Sequence, residues 1–125
     1  MAHILIIDDE VPLRTVLAQI LSDAGHTVSQ AEDGRQATDL LRCTSVDLVI
    51  TDIVMAELDG IELIIALRHQ FPALPVIAMS GACHNASLYL EIAMRLGARR
   101  TLSKPFTANV LLTAVDELLE RVCAA

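Results

Sequence analysis

Five polar or charged residues, far apart in the sequence, each follow a short apolar run. They are Asp8, Asp9, Asp52, Ser80 and Lys104, and the runs before them cover residues 3–7, 47–51, 75–79 and 100–103. If these runs are parallel strands of one sheet, their ends lie at one edge, where open α/β sheets bind ligands. Three carboxylates, one hydroxyl and one ammonium would then share a site suited to a divalent metal and a phosphoryl group.

The acidic pair by itself has a simpler interpretation, which the third aspartate makes less attractive. Asp8 and Asp9 precede a predicted helix, where acidic side chains complement the helix dipole. Asp52, however, closes a nearly all-apolar run, and a carboxylate there needs a partner to offset its desolvation. Mg²⁺ is the natural partner, because it prefers oxygen ligands and is held by one or two carboxylates with water and phosphate oxygens.

The elements that position these residues alternate between strand-like runs and helical periodicity, which predicts repeated βα units around a parallel sheet. We predict strands over 3–7, 27–31, 47–51, 75–79 and 100–103, the second of them weak, and helices over about 12–24, 35–42, 60–70, 85–96 and 107–122. Pro12 suits a first helical turn, Gly25 a helix end and Thr107 an N-cap. The predicted fold class is therefore α/β, with a single five-stranded sheet.

The bulk composition excludes several classes of protein. The 125 residues are 54% hydrophobic but only 2% aromatic, and the net charge of −7 disfavours binding to nucleic acid or to an anionic membrane surface. No secretory signal or membrane-spanning run is visible. We therefore expect a cytoplasmic protein with no direct nucleic-acid contact and no membrane insertion.

The remaining reactive residue types suggest no second site. Three widely spaced cysteines without a CxxC pair indicate free thiols, and four histidines share no metal-ligand spacing: Cys43, Cys83, Cys123, His3, His26, His69 and His84. Neither GxGxxG nor a P-loop pattern occurs, so nucleotide binding is not expected.

Taken together and in order, the motifs resemble the receiver domain of response regulators in bacterial two-component signalling. They are Ile7-Asp8-Asp9-Glu10, Asp52-Ile53-Val54-Met55 with Leu58-Asp59-Gly60, Ser80-Gly81, and Leu96-Gly97-Ala98 before Lys104-Pro105-Phe106. The resemblance covers essentially the whole chain. It implies a doubly wound (βα)5 sheet with the flavodoxin-like strand order 2-1-3-4-5.

The resemblance also implies a phosphoacceptor and a metal site. Asp52 would accept a phosphoryl group from a phosphohistidine donor. Mg²⁺ would be held by Asp9, Asp52 and the backbone carbonyl of Val54, with Asp8 acting mostly through a bound water. The aspartate would be the nucleophile, and the resulting acyl phosphate a labile covalent intermediate.

Ser80 and Lys104 would contact the phosphoryl oxygens, with the serine drawn inward on phosphorylation. The implied partners are a sensor histidine kinase or a histidine phosphotransfer protein, and a downstream protein. The chain would take part in its own phosphorylation and dephosphorylation without acting as an enzyme on an external substrate.

The sequence departs from the family pattern at two positions. Ala56 stands where the family usually has proline, and Thr101 stands where it has an aromatic switch residue. Val54 and Ala82, two residues after Asp52 and Ser80, border the hydrolytic water in this family. Because neither side chain can hydrogen-bond that water, we predict that they do not assist autodephosphorylation.

A partner surface is expected over residues 85–122. On the helix over 85–96, we predict an inward stripe of Leu88, Ile92, Ala93 and Leu96. Leu90 and Met94 would face outward, either incidentally or as a docking or dimerising surface shared with Arg99, Arg100 and Leu112.

Two other functions are weighed against a phosphorylated receiver. A haloacid dehalogenase-type hydrolase also uses Asp, Mg²⁺ and Lys, but it places its nucleophile in a DxD pair after the first strand. A phosphate-independent scaffold of the same fold is left open by Thr101. Because the chain ends just after the last helix, we expect residues 1–125 to form a single receiver domain without an effector domain, although a fragment of a longer regulator is the alternative.

Overall fold

A computed structural model of the chain describes residues 2–53, 60–81, 86–104 and 106–124, except for the side chains of 60, 86–89 and 120–124. Its strands are β1 (His3–Ile7), β2 (Thr27–Ala31), β3 (Leu48–Asp52), β4 (Val76–Ser80) and β5 (Arg100–Ser103). Its helices are α1 (Val11–Asp23), α2 (Gly34–Cys43), α3 (Gly60–Gln70), α4 (Ala86–Leu96) and α5 (Ala108–Ala124).

The strands form one parallel sheet in the order β2-β1-β3-β4-β5. This confirms the predicted α/β class and the strand order that the resemblance implied. The weak second strand pairs with β1 over its full length, from His3 opposite Thr27 to Ile7 opposite Ala31. Edge position explains its polar composition, because only one of its sides is paired within the sheet.

Successive side chains of each strand point to opposite faces of the sheet, and this divides the hydrophobic core into two layers. Ile4 and Ile6 of β1 pack in one cluster with α1 and α5, while Leu5 and Ile7 pack on the opposite face with α2, α3 and α4. Every residue of β3 and β4 is buried, as expected of central strands covered by helices on both faces. The helices therefore leave the strand ends as the open part of the sheet.

The third and fourth strands each end one residue later than predicted. β3 ends at Asp52, which pairs with Met79, and β4 ends at Ser80, which pairs with Ser103. The ladder even extends past Asp52, since the Ile53 N–H donates to the Met79 carbonyl at 2.9 Å. Both polar residues are consequently held by sheet hydrogen bonds rather than by a following loop.

Side-chain hydrogen bonds fix the starts of two helices. The Asp33 carboxylate accepts a bond from the Gln36 N–H at 2.9 Å at the start of α2. The Thr107 hydroxyl accepts one from the Val110 N–H at 3.2 Å, which confirms the predicted N-cap of α5. At the end of α1, Gly25 has a φ of 98°, a conformation that glycine adopts without strain.

The predicted faces of α4 are partly wrong. Leu90 is only 8% exposed and packs with Ala93 and Leu96 in the core layer of α2, α3 and α4. The core stripe thus runs through positions spaced by three residues and includes Leu90 instead of excluding it. Met94 is 47% exposed, as predicted, whereas the side chain of Leu88 lies outside the described residues.

The neighbouring surface residues differ in their environments. Arg99 is exposed, while Arg100 is half-buried and forms an ion pair with Glu117 of α5. Leu112 is also half-buried, packed against the α1 and α5 layer. Within the described residues, no helix has both the length and the apolar character needed to cross a membrane.

Candidate functional site

The sheet register brings the ends of four strands to one edge. Ile7 lies opposite Thr51, Asp52 opposite Met79 and Ser80 opposite Ser103. Asp8 directly follows β1, and its N–H donates to the Ala31 carbonyl of β2 at 3.1 Å. The sequence prediction that strand ends would assemble these residues is therefore confirmed by the topology.

Three carboxylates meet at this edge. Asp8, Asp9 and Asp52 each offer an oxygen atom, and the three atoms lie within 4.8 Å of one another. Asp8 is fully buried and Asp52 is 5% exposed, whereas Asp9 is exposed. Among the described residues, this is the one group of three or more His, Cys, Asp or Glu side chains close enough to bind a metal ion.

The donor set fits Mg²⁺. All three ligand atoms are oxygens, and one carboxylate faces solvent, where a cation can keep part of its water shell. Mg²⁺ prefers oxygen ligands and usually retains several waters. A site made only of oxygens offers none of the nitrogen or sulfur ligands that favour zinc.

Lys104 connects two of these carboxylates. Its Nζ donates to Asp52 Oδ2 at 2.8 Å and to Asp8 Oδ2 at 3.2 Å. Its side chain is only 15% exposed, and its backbone N–H donates to the Ser80 carbonyl at 2.7 Å. Lys104 is also the single lysine of the sequence, since the other eight basic residues are arginines.

For Asp8 and for Lys104, burial and neighbouring opposite charges shift the pKa in opposite directions. Burial raises the pKa of the Asp8 carboxyl above its usual value, although the Glu10 N–H and the Lys104 charge offset part of this effect. For Lys104, burial alone would lower the pKa, but the hydrogen bonds and charges of Asp52 and Asp8 outweigh it and raise the pKa. The ammonium therefore stays protonated and compensates the acidic pair.

Sequence reasoning did not identify Arg14 as part of this region. Its Nη1 donates to the Asp8 carbonyl at 2.6 Å, and its Nε donates to Gln30 Oε1 on β2 at 3.1 Å. Glu10 is the N-cap of α1 and makes no side-chain cap bond. Its N–H donates to Asp8 Oδ1 at 2.9 Å. A basic residue early in the helix after an acidic pair is the only sequence signal for Arg14.

Ser80 is fully buried at the end of β4, at the same edge of the sheet as the aspartates. Its hydroxyl lies 3.5 Å from the Gly81 carbonyl. Lys104 passes over Gly81, with its Cδ 3.9 Å from where a β-carbon would stand. A β-carbon at position 81 would therefore lie in ordinary van der Waals contact with the lysine stem.

The other residues singled out in the sequence are only partly described. Val54, Ala56, Ala82 and Pro105 lie outside the described residues, and the predictions about them stay predictions. Thr101 of β5 is half-buried and lines a surface cavity of about 320 Å³ with residues of α5. The position where the resemblance implies an aromatic ring is thus occupied by a small polar side chain beside open space.

Known proteins resemble this chain over nearly its whole length. The response regulator receiver domain family matches residues 4–116. The transcriptional regulatory protein GlrR of Escherichia coli is 33% identical over 99% of this chain and 28% of that protein. The transcriptional regulatory protein CpxR of the same species is 35% identical over 97% of this chain and 50% of that protein.

Solved structures give the same result. A response regulator receiver domain protein from Clostridium thermocellum superposes with a TM-score of 0.92 at 30% identity, covering 99% of this chain and 98% of that one.

The curated relatives are longer, and this chain spans about a quarter to a half of their length. Receiver domains generally bind Mg²⁺ at an acidic pocket, and they are generally not enzymes themselves. With the family match and the assembled strand ends, the chain belongs to the response regulator receiver domain family.

Proposed function

We propose that the chain is a phosphorylation-controlled signalling module in which Asp52 accepts a phosphoryl group from a phosphohistidine donor. One observation carries this proposal: Lys104 lies 2.8 Å from Asp52 and 3.2 Å from Asp8. The single lysine of the chain is thus directed at two buried carboxylates beside the exposed Asp9. This arrangement supports the proposal, because the proposed nucleophile lies next to a cationic side chain and within the cluster of acids proposed to bind a cation.

The transfer exchanges one bond to phosphorus for another. A carboxylate oxygen of Asp52 forms the new O–P bond, the P–N bond of the donor breaks, and the donor imidazole leaves with the bonding electron pair. During the transfer, the negative charge of the phosphoryl group is spread over its three equatorial oxygens. Lys104 is positioned to donate hydrogen bonds to these oxygens, because its ammonium already lies between Asp52 and Asp8.

The proposed metal ligands are Asp9 and Asp52 directly and Asp8 mostly through water, with the Val54 carbonyl that the resemblance implies. Bound Mg²⁺ supplies positive charge that neutralises the carboxylates and the phosphoryl oxygens. The chain itself supplies hydrogen-bond donors that hold the proposed metal ligands in place. The Asp8 carboxylate, for example, accepts from the Glu10 N–H at 2.9 Å and from Lys104 Nζ.

Output is proposed to begin at Ser80. Its buried hydroxyl lies at the sheet edge and would donate to the phosphoryl group, biasing an equilibrium between inactive and active conformations. With Thr101 in place of an aromatic residue, the signal would pass through the loop after Ser80 rather than through a rotating ring. The receiving partner is a downstream protein bound over residues 85–122, where Met94 is exposed.

The phosphodonor is proposed to be a sensor histidine kinase or a histidine phosphotransfer protein. A groove of about 380 Å³ lies beside the site, lined by Leu13, Val16, Leu17, Ile20, Lys104, Phe106 and Thr107. Val16 is 54% exposed there, so the groove offers an apolar contact next to the phosphoacceptor. A cytoplasmic location and a single receiver domain over residues 1–125 stay predictions.

The test is incubation of the protein with Mg²⁺ and acetyl phosphate or phosphoramidate, followed by intact mass measurement. We expect an adduct of one phosphoryl group that is lost in Asp52→Asn. Asp47→Asn is the matched control, because Asp47 directly precedes β3, at the end of the strand opposite Asp52, and its carboxylate accepts a hydrogen bond from the His3 N–H at 2.9 Å. An adduct that persists in Asp52→Asn would refute the assignment of the phosphoacceptor.

The same experiment separates the alternatives. A protein that binds Mg²⁺ but acquires no phosphoryl group from any small donor would be a phosphate-independent scaffold. Repeated release of inorganic phosphate from a monoester, in large excess over protein, would indicate a hydrolase. The receiver proposal expects turnover limited to the protein's own acyl phosphate.

A further inference from the structure

We propose that Arg14 is a positioning residue for the metal site, acting through the peptide bond that joins Asp8 to Asp9. This inference rests on the proposed function, since it concerns the same cation. Arg14 is the fourth residue of α1 and is half-buried. Its Nη1 donates to the Asp8 carbonyl at 2.6 Å, and its Nε donates to Gln30 Oε1 at 3.1 Å. Two donors of one planar guanidinium are thus fixed between the end of β1 and the neighbouring strand β2.

Asp8 is hydrogen-bonded at every polar group, and Arg14 supplies one of these bonds. The Asp8 N–H donates to the Ala31 carbonyl at 3.1 Å. Its carboxylate accepts from the Glu10 N–H at 2.9 Å and from Lys104 at 3.2 Å. The Asp8 carbonyl has Arg14 as its partner. Removing Arg14 would therefore take away the side-chain donor that holds the Asp8 carbonyl.

The Asp8 carbonyl matters because it belongs to the same rigid plane as the Asp9 N–H. A fixed carbonyl direction sets the direction in which the Asp9 backbone, and then its side chain, leaves the strand. Asp9 is exposed, whereas Asp8 and Asp52 are buried. Packing therefore restricts Asp9 less than the two buried carboxylates, and the orientation of the preceding peptide contributes to its position.

The two possible roles of Arg14, as a nearby positive charge or as a positioning residue, predict opposite changes in Mg²⁺ affinity when it is removed. Among the described residues, Arg14 forms no ion pair within 4.0 Å, and its charge lies next to a cluster of acids that attracts a cation. If Arg14 acted only as a nearby positive charge, removing it would strengthen Mg²⁺ binding. If it positions Asp8 and Asp9, removing it weakens Mg²⁺ binding. The sign of the change decides between the two roles.

The experiment is calorimetric titration of Mg²⁺ into the metal-free full chain, with the melting temperature in EDTA recorded for each variant. For Arg14→Gln we expect the dissociation constant of Mg²⁺ to rise about tenfold, the typical effect of removing a partner that orients a metal ligand. Arg14→Lys keeps the charge but not the paired donors, so its affinity should fall between those of wild type and Arg14→Gln. Gln30→Ala removes the second contact of Arg14 without changing any charge, and should weaken binding about threefold.

Thr15→Val is the matched control. Thr15 is the next residue of α1, and its hydroxyl donates to the Val11 carbonyl at 2.9 Å within the helix. The substitution removes a side-chain hydrogen bond from the same helix without touching Asp8, and should leave Mg²⁺ affinity unchanged. Equal weakening in Thr15→Val would overturn the inference, because the effect would then belong to the helix in general.

The remaining outcomes are also decisive. Unchanged or tighter Mg²⁺ binding in Arg14→Gln, with a wild type that binds, overturns the positioning role and leaves the metal site intact. A wild type that does not bind Mg²⁺ overturns the proposed metal site and this inference with it. If Arg14→Gln does not fold, Gln30→Ala decides, since Gln30 is exposed and its removal leaves the core unchanged.

Discussion

Replacing Lys104 with methionine tests how far the acidic site depends on its internal cation. Methionine keeps the length of the apolar stem and removes only the ammonium group. In the metal-free protein this leaves Asp8, fully buried, and Asp52, 5% exposed, without their common partner. Two carboxylates near each other at this depth repel, and neither retains the charge that compensated it.

The expected loss of stability can be worked out from the geometry. One oxygen of each carboxylate lies within 4.8 Å of the others, where two unit charges repel by about 3.5 kcal/mol or more at an effective dielectric constant of about 20. Removing one partner from a buried ion pair costs about 3–5 kcal/mol. We expect a value near the lower end, roughly 3 kcal/mol, because Asp8 can take up a proton instead.

The pH dependence has a definite sign. Because the pKa of Asp8 is raised in the folded protein, its protonated form contributes stability below the usual carboxyl pKa, and this contribution is lost as the pH rises through the folded value. The deficit of Lys104→Met should therefore grow from acidic to neutral pH. Mg²⁺ should reduce this deficit, because without the ammonium the carboxylates attract the cation more strongly, and the variant that binds Mg²⁺ more tightly gains more stability from it.

The assay is urea unfolding followed by far-ultraviolet circular dichroism, in EDTA and in Mg²⁺, at acidic and neutral pH. Arg95→Met is the control, because it removes a cation from a solvent-exposed pair with Glu91 on α4, and such pairs contribute little. A Lys104→Met protein as stable as wild type in EDTA would refute the reasoning. So would a deficit that neither Mg²⁺ nor lower pH reduces.

Three further predictions concern other parts of the structure. Asp8→Asn should stabilise the metal-free protein at neutral pH, where ionised Asp8 is unfavourable, and should reduce the gain in melting temperature on adding Mg²⁺. Thr107→Ala removes the N-cap bond of α5 and should lower the free energy of unfolding by about 1 kcal/mol, while Thr113→Ala, exposed on the same helix, should not. Val54→Asn or Ala82→Glu should change the acyl-phosphate lifetime by placing a hydrogen-bonding group near the hydrolytic water, measured as loss of the phosphorylated mass over time. No change in either variant would remove the argument about these two positions.

Most of the fold could be predicted because its pattern is local. Strands such as His3–Ile7 are short apolar runs followed by amphipathic helices, and the helix and strand periods differ enough to separate them. The ends of β3 and β4 were predicted one residue early, since polar Asp52 and Ser80 look like loop residues in sequence. Their inclusion in the sheet depends on pairing with Met79 and Ser103, which only the neighbouring strands decide.

The features of the core and of the site that were not predicted depend on how the helices are rotated on the sheet. Leu90 belongs to the core because α4 packs with the Leu90 and Ala93 stripe inward, and a helix with apolar residues on more than one face does not reveal which stripe that is. Arg14 reaches Asp8 only because α1 turns that face toward the end of β1. Residue type and spacing identify the groups that carry charge, whereas the residues that orient those groups are fixed by tertiary packing.

The exposure of the three carboxylates suggests how one site can serve both a lysine and a metal. Lys104 contacts Asp8 and Asp52, the two buried acids, while the third, Asp9, is open to solvent. A cation arriving from solvent can therefore meet Asp9 before it competes for oxygens already bonded to the ammonium. Because the buried acids keep a positive partner throughout, the folded metal-free protein avoids the full repulsion of its own site. The same ammonium is then in place for the additional negative charge that phosphorylation of Asp52 would bring.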